Sequence, residues 1–437
     1  LKLTSNGPAN PLVGFDLVCS GNPPPVPFLA PGGAMTGLDG AYDVVVSPDM
    51  RHLYVTSYTP GAVTHFRRQP DGQLVNVATS SNDAIGGARR LALSPDARQL
   101  YVAGSGSNGL AFYQRNPDNG FLVLKEKFRD GVGADGLKGA YGVAVAPDGR
   151  HIYVAGGGES AISIFARHAD ETVTFQSFIS STVQLEGVRG LAVTLDGAHL
   201  YAVGFADNQS GFVSVYSRDL MTGQLTFVQT RRQGELLSLF PAPRFMVGLA
   251  GAIDLTISPD GRFVYVAAYH DNAIVAYSRQ PVSGQLALAY IYRNGVNDIT
   301  GLTGATDVTL SPDGHHLFVA GGQDDAVANF DRAGENGRLS FVEAIARDAN
   351  TGDPKLDGAT SVLVSPDGST LYATAAADDA VVWFAKANPK ATLDALLPAS
   401  VEVGSGALML TVKGKNFVAG AQALWDGAPV ATTFASV

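Results

Sequence analysis

The sequence predicts an all-β protein: a seven-bladed β-propeller closed by a latch strand from the N-terminus, followed by part of a small C-terminal β-sandwich. Three observations carry this prediction. One phrase recurs seven times along the chain, each copy has the pattern of a β-hairpin, and the pattern stops near residue 390. Repeats of about 50 residues with four strands each are typical of propeller blades.

The repeated phrase consists of an apolar run, a Ser-Pro-Asp-Gly turn and a second apolar run, as in residues 251–266. Two alternating apolar runs around a Pro-Asp-Gly turn predict a β-hairpin. A third and a fourth run follow most hairpins, so each unit is expected to be a four-stranded antiparallel sheet. The anchor positions of the seven turns are Pro48, Pro95, Pro147, Leu195, Pro259, Pro312 and Pro366.

The two ends of the repeat region predict how the ring closes. The seventh copy has three strand-like runs, the last at residues 380–385, but no convincing fourth. Residues 12–18 stand before the first copy, in the place that a fourth strand occupies before every other copy. We therefore predict that residues 12–18 complete blade seven, which makes residues 1–388 the propeller domain.

The tail, residues 391–437, has alternating runs and glycine turns but no Ser-Pro-Asp-Gly hairpin. It offers about three strands, too few to bury the apolar face of a sandwich. Either the module continues beyond this sequence, or another molecule supplies the missing strands. The second alternative predicts a protein partner or an assembly neighbour that binds through residues 391–437.

Composition excludes several classes of function. The chain carries 30 Lys and Arg against 40 Asp and Glu, a net charge of −10, which disfavours a nucleic-acid binder. No apolar run is long enough to predict membrane insertion. The chain begins at Leu1 rather than at methionine, and its blades are rich in glycine and poor in charge. These features favour an extracytoplasmic protein, periplasmic, on the cell surface or secreted.

The repeat, GLxGAxDVxxSPDGxxLYVAxxxDDAVxxF, resembles that of the seven-bladed YVTN or lactonase-type propellers, the 6-phosphogluconolactonase-like and carboxymuconate-cyclase-like proteins. The resemblance covers residues 12–388 and implies a ligand site at the mouth of the central channel. The tail resembles a partial IPT/TIG module, an immunoglobulin-like sandwich, through residues 397–400, 412–417 and 425–427.

Lactonase-type propellers resemble one another in placing a histidine just before the Ser-Pro-Asp-Gly strand of some blades. The resemblance implies that the equivalent ring of positions here faces the channel mouth. None of the seven is histidine, which predicts that the protein is not an efficient lactonase. The seven residues are Asp43, Arg90, Gly142, Gly190, Asp254, Asp307 and Ser361.

Three carboxylates of this ring suggest a cation site. Asp43, Asp254 and Asp307 could converge on a hard cation such as Ca²⁺. The alternative is that each aspartate caps its own loop by accepting backbone N–H bonds. Arg90 could bind a carboxylate or phosphate ligand, or it could neutralise a neighbouring aspartate across the channel. Arg89 and Arg189 lie one position out of register with the ring.

His270 is the one histidine predicted to lie in a loop on the channel-mouth side. Counting back through the Asp260-Gly261 turn pairs Asp254 near Ala267, so His270 and Asp254 could form an acid–base pair. The alternative is an ordinary surface histidine.

Two functions follow from these residues. The main prediction is an exported propeller that acts as a binding or assembly scaffold without catalysis, with ligand contacts from Asp43, Arg90, Asp254, Asp307 and His270. The alternative is a lactonase-type hydrolase that acts on a small anionic lactone at the channel mouth, with His270, Asp254 and Arg90 as the catalytic candidates.

Overall fold

The computed structural model describes residues 30–69, 72–238, 244–348, 350–351 and 353–385. It also describes the separate strand segments 2–3, 14–19, 392–397, 409–415, 424–425, 428–429 and 432–436. The chain divides into two compact units, residues 31–385 and residues 1–30 together with 386–437. The larger unit contains seven four-stranded sheets, the blades, which confirms the all-β propeller.

The first four blades follow the repeat. Blade one comprises Ala41–Val46, His52–Ser57, Ala62–Arg68 and Leu74–Ser81. Blade two comprises Ala88–Leu93, Gln99–Gly104, Gly109–Arg115 and Leu122–Asp130, with Gly133–Ala134 added parallel to its outer strand. Blade three comprises Ala140–Val145, His151–Gly156, Ala161–Arg167 and Val173–Ser180. Blade four comprises Val188–Val193, His199–Gly204, Phe212–Arg218 and Leu225–Arg232.

A short hairpin, Leu236–Ser238 with Arg244–Phe245, is inserted before blade five. Blade five comprises Ala252–Ile257, Phe263–Ala268, Ala273–Arg279 and Leu286–Arg293. Blade six comprises Ala305–Leu310, His316–Gly321, Ala326–Arg332 and Leu339–Ala346. Blade seven comprises Ala359–Val364, Thr370–Ala375, Ala380–Ala385 and Ala30–Met35. The one helix among the described residues is the 3₁₀ turn Gly157–Glu159. The described part of the chain therefore has no helix long and apolar enough to span a bilayer.

The blades form a closed ring because their innermost strands contact one another in sequence. The first strand of blade seven packs against the first strand of blade one. The apolar core lies between neighbouring blades rather than within one of them. Tyr372 and Trp383 of blade seven, for example, pack against Val44, Leu53 and Phe66 of blade one.

A buried polar clasp joins several pairs of neighbouring blades. In the clasp between blades three and four, the Tyr153 hydroxyl donates to the Gly223 carbonyl at 2.8 Å and accepts from Arg218 Nε at 2.7 Å. Arg218 Nη2 reaches the Asp148 carboxylate at 2.8 Å. Because every partner is a strong donor or acceptor, the charge of a fully buried guanidinium is satisfied.

The hydrogen bonds of this clasp among tyrosine, arginine and glycine recur between three other pairs of blades. Its tyrosine, arginine and glycine are Tyr54, Arg115 and Gly120; Tyr201, Arg279 and Gly284; and Tyr265, Arg332 and Gly337. We define the face that carries these turns and the Ser-Pro-Asp-Gly turns as the turn face. The opposite face, where each innermost strand begins, is the mouth face.

The predicted latch segment is wrong, although a strand from before blade one does close the ring. Ala30–Met35, not residues 12–18, pairs with Ala380–Ala385 as the fourth strand of blade seven. Gly32 and Gly33 lie on the Trp383 indole so closely that a Cβ at Gly32 would stand 2.5 Å from the Trp383 Cδ1 atom. A bulky strand such as residues 12–18 would not fit against that ring.

The predicted segment takes part in a different sheet. Gly14–Cys19 lies between Met409–Lys415 and Thr432–Ser436 and runs parallel to both. Thr392–Leu397 pairs with the far side of Met409–Lys415. A strand of this same chain thus occupies a central position in the tail sheet; residues 12 and 13 lie outside the described residues. The IPT/TIG identity of the tail and a protein partner for residues 391–437 stay predictions.

We expect Arg218→Met to lower the free energy of unfolding by about 3 kcal/mol, because it leaves Tyr153, the Gly197 carbonyl and Asp148 without their donor. Denaturant unfolding of the variant measures the loss. Arg150→Gln, an exposed arginine in the same blade pair, is the control and should leave the unfolding free energy within about 0.5 kcal/mol of the wild type. Equal stability of the two variants would contradict a structural role for the clasp.

We expect Gly32→Val to open blade seven, because the added side chain collides with Trp383. The thermal midpoint should fall, and limited proteolysis should cut first within residues 359–385. Gly334→Val places the same side chain where nothing lies within 4 Å, and it should leave both readouts unchanged. Wild-type proteolysis of Gly32→Val would mean that this strand does not close the ring.

Candidate functional site

Arg90 lies at the centre of the ring on the mouth side and brings three aspartates together. Its guanidinium stands 3.0 Å from the Asp307 carboxylate, 3.4 Å from that of Asp43 and 3.6 Å from that of Asp254. All four side chains are at most 15% exposed. The structure therefore places four of the sequence-predicted site residues in one axial network.

Hydrogen bonds from blade seven and the backbone complete this network. The Ser361 hydroxyl lies 2.8 Å from Asp43 Oδ1 and 2.6 Å from Asp307 Oδ2. The Leu91 N–H donates to Asp43 and the Val362 N–H to Asp307, at 3.0 and 2.7 Å. Arg90 thus neutralises aspartates across the channel, one of the two roles that the sequence left open.

The pKa values of two of the carboxyl groups are shifted in opposite directions. Burial raises the pKa of Asp254 well above its usual value; Arg90 opposes this, and the charge of Asp307 adds to it. Burial also acts on Asp307, but Arg90 and a hydrogen bond from the Asp254 carboxyl outweigh it and lower the pKa of Asp307. Asp254 therefore carries the proton and donates it to ionised Asp307.

The hypothesis that Asp43, Asp254 and Asp307 hold Ca²⁺ is not supported. A guanidinium occupies the point on which the three carboxylates converge, so these aspartates bind Arg90 rather than an open cation position. Among the described residues no group of three His, Cys, Asp or Glu side chains is arranged to hold a metal ion.

The predicted pairing of His270 with Asp254 is wrong, although the strand register behind it is right. Asp254 pairs with Ala267, as expected. His270 instead packs edge-on against Phe205, with ring centroids 5.2 Å apart, and its charged neighbours are Arg189, Asp271 and Asp207. Partial burial and then Arg189 lower the pKa of His270, so its imidazole is neutral at pH 7.

A cleft of about 430 Å³ opens on the mouth face across blades two to four. We call it the rim cleft. Arg89 and Arg189 line it on either side of Tyr141, with Phe205 beside Arg189. The Arg189 guanidinium lies 4.2 Å from the Phe205 ring centroid and 5.3 Å from that of Tyr141. Arg89 lies 4.4 to 5.0 Å from the centroids of Tyr42, Tyr58 and Tyr141.

Both arginines are held in place but keep donors for a ligand. Arg89 Nε donates to Ser105 at 3.2 Å. Arg189 Nε is buried and has no hydrogen-bond partner among the described residues. Neither guanidinium forms an ion pair within that part of the chain, although Arg90, one residue from Arg89, contacts three carboxylates. A fixed, desolvated guanidinium stacked on an aromatic ring is suited to binding an anion.

The sequence marks Arg89 and Arg189 only as one position out of register with the ring. The position before each ring residue is the better guide, because in four blades it carries a large side chain that lines or adjoins the rim cleft: Tyr42, Arg89, Tyr141 or Arg189.

A model of the family described as "Lactonase, 7-bladed beta-propeller" matches residues 26–134, 130–240 and 235–347, which together form most of the chain. The chain belongs to the seven-bladed propeller lactonase family. A 6-phosphogluconolactonase of Bacillus subtilis (strain 168) is 24% identical to this lactonase-family propeller over 101 residues. That match spans 23% of this chain and only 29% of the relative.

Solved structures show the same fold. The periplasmic gluconolactonase of Pseudomonas aeruginosa superposes with a TM-score of 0.57 at 22% identity, covering 70% of this chain and 85% of that one. A putative 6-phosphogluconolactonase of Bacteroides uniformis ATCC 8492 gives 0.56 at 19% identity, covering 69% and 84%. The prediction of a non-catalytic scaffold is wrong, because the family match and these relatives support the lactonase alternative.

We expect Asp254→Asn and Asp307→Asn to differ sharply in their free energies of unfolding. An amide reproduces the protonated Asp254 carboxyl, so the first variant should stay within about 1 kcal/mol of the wild type. Asp307→Asn removes the ionised partner of Arg90 and should cost about 3 kcal/mol. Denaturant unfolding at neutral pH measures both.

The same pair predicts a pH dependence. The raised pKa of the Asp254 carboxyl stabilises the folded protein at low pH, and this contribution is lost as the pH rises through the folded-state pKa. The wild type should therefore lose stability over that pH range. Asp254→Asn should show a smaller loss, measured by the thermal midpoint at about pH 5 and about pH 8. Unchanged pH dependence in this variant would place the proton elsewhere.

Proposed function

We propose that this lactonase-family propeller hydrolyses a small anionic lactone bound in the rim cleft. The observation that carries the proposal is the Arg189 guanidinium, which is fixed on Phe205 and Tyr141 and whose buried Nε has no hydrogen-bond partner among the described residues. Family membership supports the reaction class, and the cleft volume of about 430 Å³ suits a single sugar-sized ligand.

Two arginines on either side of one aromatic ring favour a substrate with an anionic group. Arg189 would bind a phosphate or carboxylate through its planar fork, while Arg89, held over three tyrosines, would bind a second oxygen of the ligand. Backbone atoms of the 157–158 turn and the Ser160 side chain line the same cleft and provide polar contacts for hydroxyl groups. The 6-phosphogluconolactonase relative supports a phosphorylated sugar lactone as the substrate class.

His270 is our candidate for the general base. Its neutral imidazole packs on Phe205, a wall of the rim cleft, and can accept a proton from water. The water oxygen then forms a bond to the lactone carbonyl carbon, and the bond from that carbon to the ring oxygen breaks. Protonated His270 then gives its proton to the released alkoxide, so the product is an open-chain hydroxy acid and the imidazole is neutral again. Arg189 or Arg89 would stabilise the negative charge that develops on the carbonyl oxygen.

Arg90 has no catalytic role in this proposal, because three carboxylates already bind its guanidinium. Asp254 and Asp307 act through the axial network, which fixes the innermost strand that presents Arg89. We further propose an extracytoplasmic location, which the periplasmic gluconolactonase of similar fold supports.

The test is the hydrolysis of glucono-δ-lactone and of its 6-phosphate, followed by acid release and corrected for spontaneous hydrolysis. We expect Arg189→Met to raise KM for the phosphorylated lactone at least about tenfold, because it removes a charge-assisted contact. His270→Asn should lower kcat about 100-fold with KM nearly unchanged.

Arg150→Gln, on the opposite face, is the matched control and should behave as the wild type. The wild-type kcat should fall with decreasing pH only below the usual range of histidine, because the pKa of His270 is lowered. Turnover that survives both rim-cleft substitutions, or none in the wild type with either lactone, would contradict the proposal.

A further inference from the structure

A second, larger groove lies between blades one and two on the turn face, opposite the rim cleft. Its volume is about 850 Å³. Residues 49–52 and 67–69, the outer strand at 75–77 and the blade-two turn at 118–121 line it. We call it the basic groove. The proposed hydrolysis makes no use of it.

Three arginines give the groove its charge. Arg51, Arg67 and Arg68 line it, and none of them forms an ion pair within the described residues. The Asp49 carboxylate is already engaged by Ser47 and by the Arg51 backbone N–H, at 2.5 and 3.1 Å. Asp49 and Asp118 are the two carboxylates among the lining residues, so three arginines against two aspartates leave the groove with an excess of one positive charge.

One of the three arginines, Arg67, is particular to blade one. Arg67 pairs with His52 at the end of the third strand. The residues that take the place of Arg67 in the other six blades carry no positive charge. They are Gln114, Ala166, Ser217, Ser278, Asp331 and Ala385.

A second histidine disturbs the clasp beside the groove. In the clasps of blades three and four, and four and five, the histidine Nδ1 atom contacts the arginine Nη2 atom, at 2.8 Å for His151 and Arg218. In blade one His65 intervenes, and His52 Nδ1 lies 2.9 Å from His65 Nε2 instead. Arg115 Nη2 is left 3.9 Å from Asp49.

The result is a group of unsatisfied nitrogens at one place. His52 Nε2, His65 Nδ1 and Arg115 Nη2 are buried and have no hydrogen-bond partner among the described residues. His52 and His65 are 3% and 2% exposed. Buried polar atoms without partners are costly, and two of these three, Arg115 Nη2 and a protonated His52 Nε2, are donors, so the cluster beside the basic groove indicates a ligand that supplies an acceptor.

The tautomer of the histidine pair fits an anionic acceptor. If His65 Nε2 donates to His52 Nδ1, neutral His52 carries its own proton on Nε2. His52 lines the groove, so an oxygen anion bound there would supply the acceptor that this buried N–H lacks among the described residues. An anion between His52, Arg51 and Arg67 would also relieve the uncompensated charge of the arginines.

Apolar side chains lie beside the charged ones. Phe121 is 46% exposed and Val75 is 40% exposed, and both line the groove. An inorganic ion would leave these surfaces in water, whereas an organic anion would cover them. We propose that the basic groove binds a small organic phosphate or carboxylate. Its anionic head contacts Arg51, Arg67 and His52, and its apolar body lies on Phe121 and Val75.

Calorimetric titration of the full chain with phenyl phosphate tests the proposal, with inorganic phosphate and benzoate as separate arms. We expect saturable one-site binding of phenyl phosphate, at least about tenfold tighter than that of inorganic phosphate because of the apolar contacts. Benzoate separates the two head groups: binding equal to that of phenyl phosphate makes the groove a general anion site, and weaker binding makes it a phosphate site.

The other blades supply the test variants. Arg51→Gln with Arg67→Ser should weaken phenyl phosphate binding at least about tenfold. His52→Phe, which installs the residue that blade five has at this position, should weaken it several-fold without lowering the thermal midpoint. Arg150→Gln, on the equivalent turn of blade three, is the control for general charge. Arg189→Met is the control for binding in the rim cleft, so a failure of the lactonase proposal leaves this test intact.

Three results would overturn the inference. They are the absence of saturable binding at about 10 mM ligand, binding that survives the double substitution, and binding that Arg150→Gln or Arg189→Met weakens as much as the groove substitutions do. The thermal midpoint of each variant, measured without ligand, separates a lost contact from a lost fold.

Discussion

The guanidinium of Arg90 is the constraint around which the propeller is arranged. It lies on the ring axis and contacts carboxylates from blades one, five and six, while Ser361 of blade seven joins two of these carboxylates to each other. A charge this far from water must be neutralised in place, so five blades are held at fixed distances. The same contacts close the channel to a ligand at this level, and a substrate must bind farther out.

The residue next to Arg90 contributes to the candidate site. Arg90 contacts the three axial carboxylates while Arg89 lines the rim cleft, so one dipeptide supplies both the structural charge and a charge that we propose for ligand binding. Blades three and four have glycine in the ring, at Gly142 and Gly190, where a Cβ would stand within 2.0 and 2.8 Å of a neighbouring carbonyl oxygen. The innermost strands approach one another there, which brings Tyr141 and Arg189 of these blades together in the rim cleft.

The sequence predicted the features that recur in every repeat, the blades and the ring positions. It did not predict the latch strand or the position of the His270 ring, each of which depends on one side-chain contact. Seven copies of one hairpin gave the blade count, and ring positions counted from the repeat brought Arg90 and its three aspartates together correctly. The latch was misassigned because residues 12–18 have the apolar alternation of a strand, whereas Ala30–Met35 is selected by two glycines that admit the Trp383 indole. His270 was misplaced because strand register locates its backbone, but packing on Phe205 locates its ring. Neither contact leaves a periodic signal.

Two residues that depart from the repeat, Glu171 and His65, have different effects on the hydrogen bonds of the clasp. Between blades two and three the clasp glycine is replaced by Glu171, whose φ of 66° is unusual for a side-chain-bearing residue. Gln99 compensates there: its amide donates to the Glu171 carbonyl at 2.6 Å and its oxygen accepts from Tyr101, so the two blades stay linked. His65 has the opposite effect between blades one and two, because His52 contacts His65 instead of Arg115. His52 Nε2, His65 Nδ1 and Arg115 Nη2 are then left without partners among the described residues. The departure at Glu171 therefore leaves the contact between its blades intact and indicates no ligand. The departure at His65 leaves buried donors without partners beside the basic groove, and a bound anion would satisfy them.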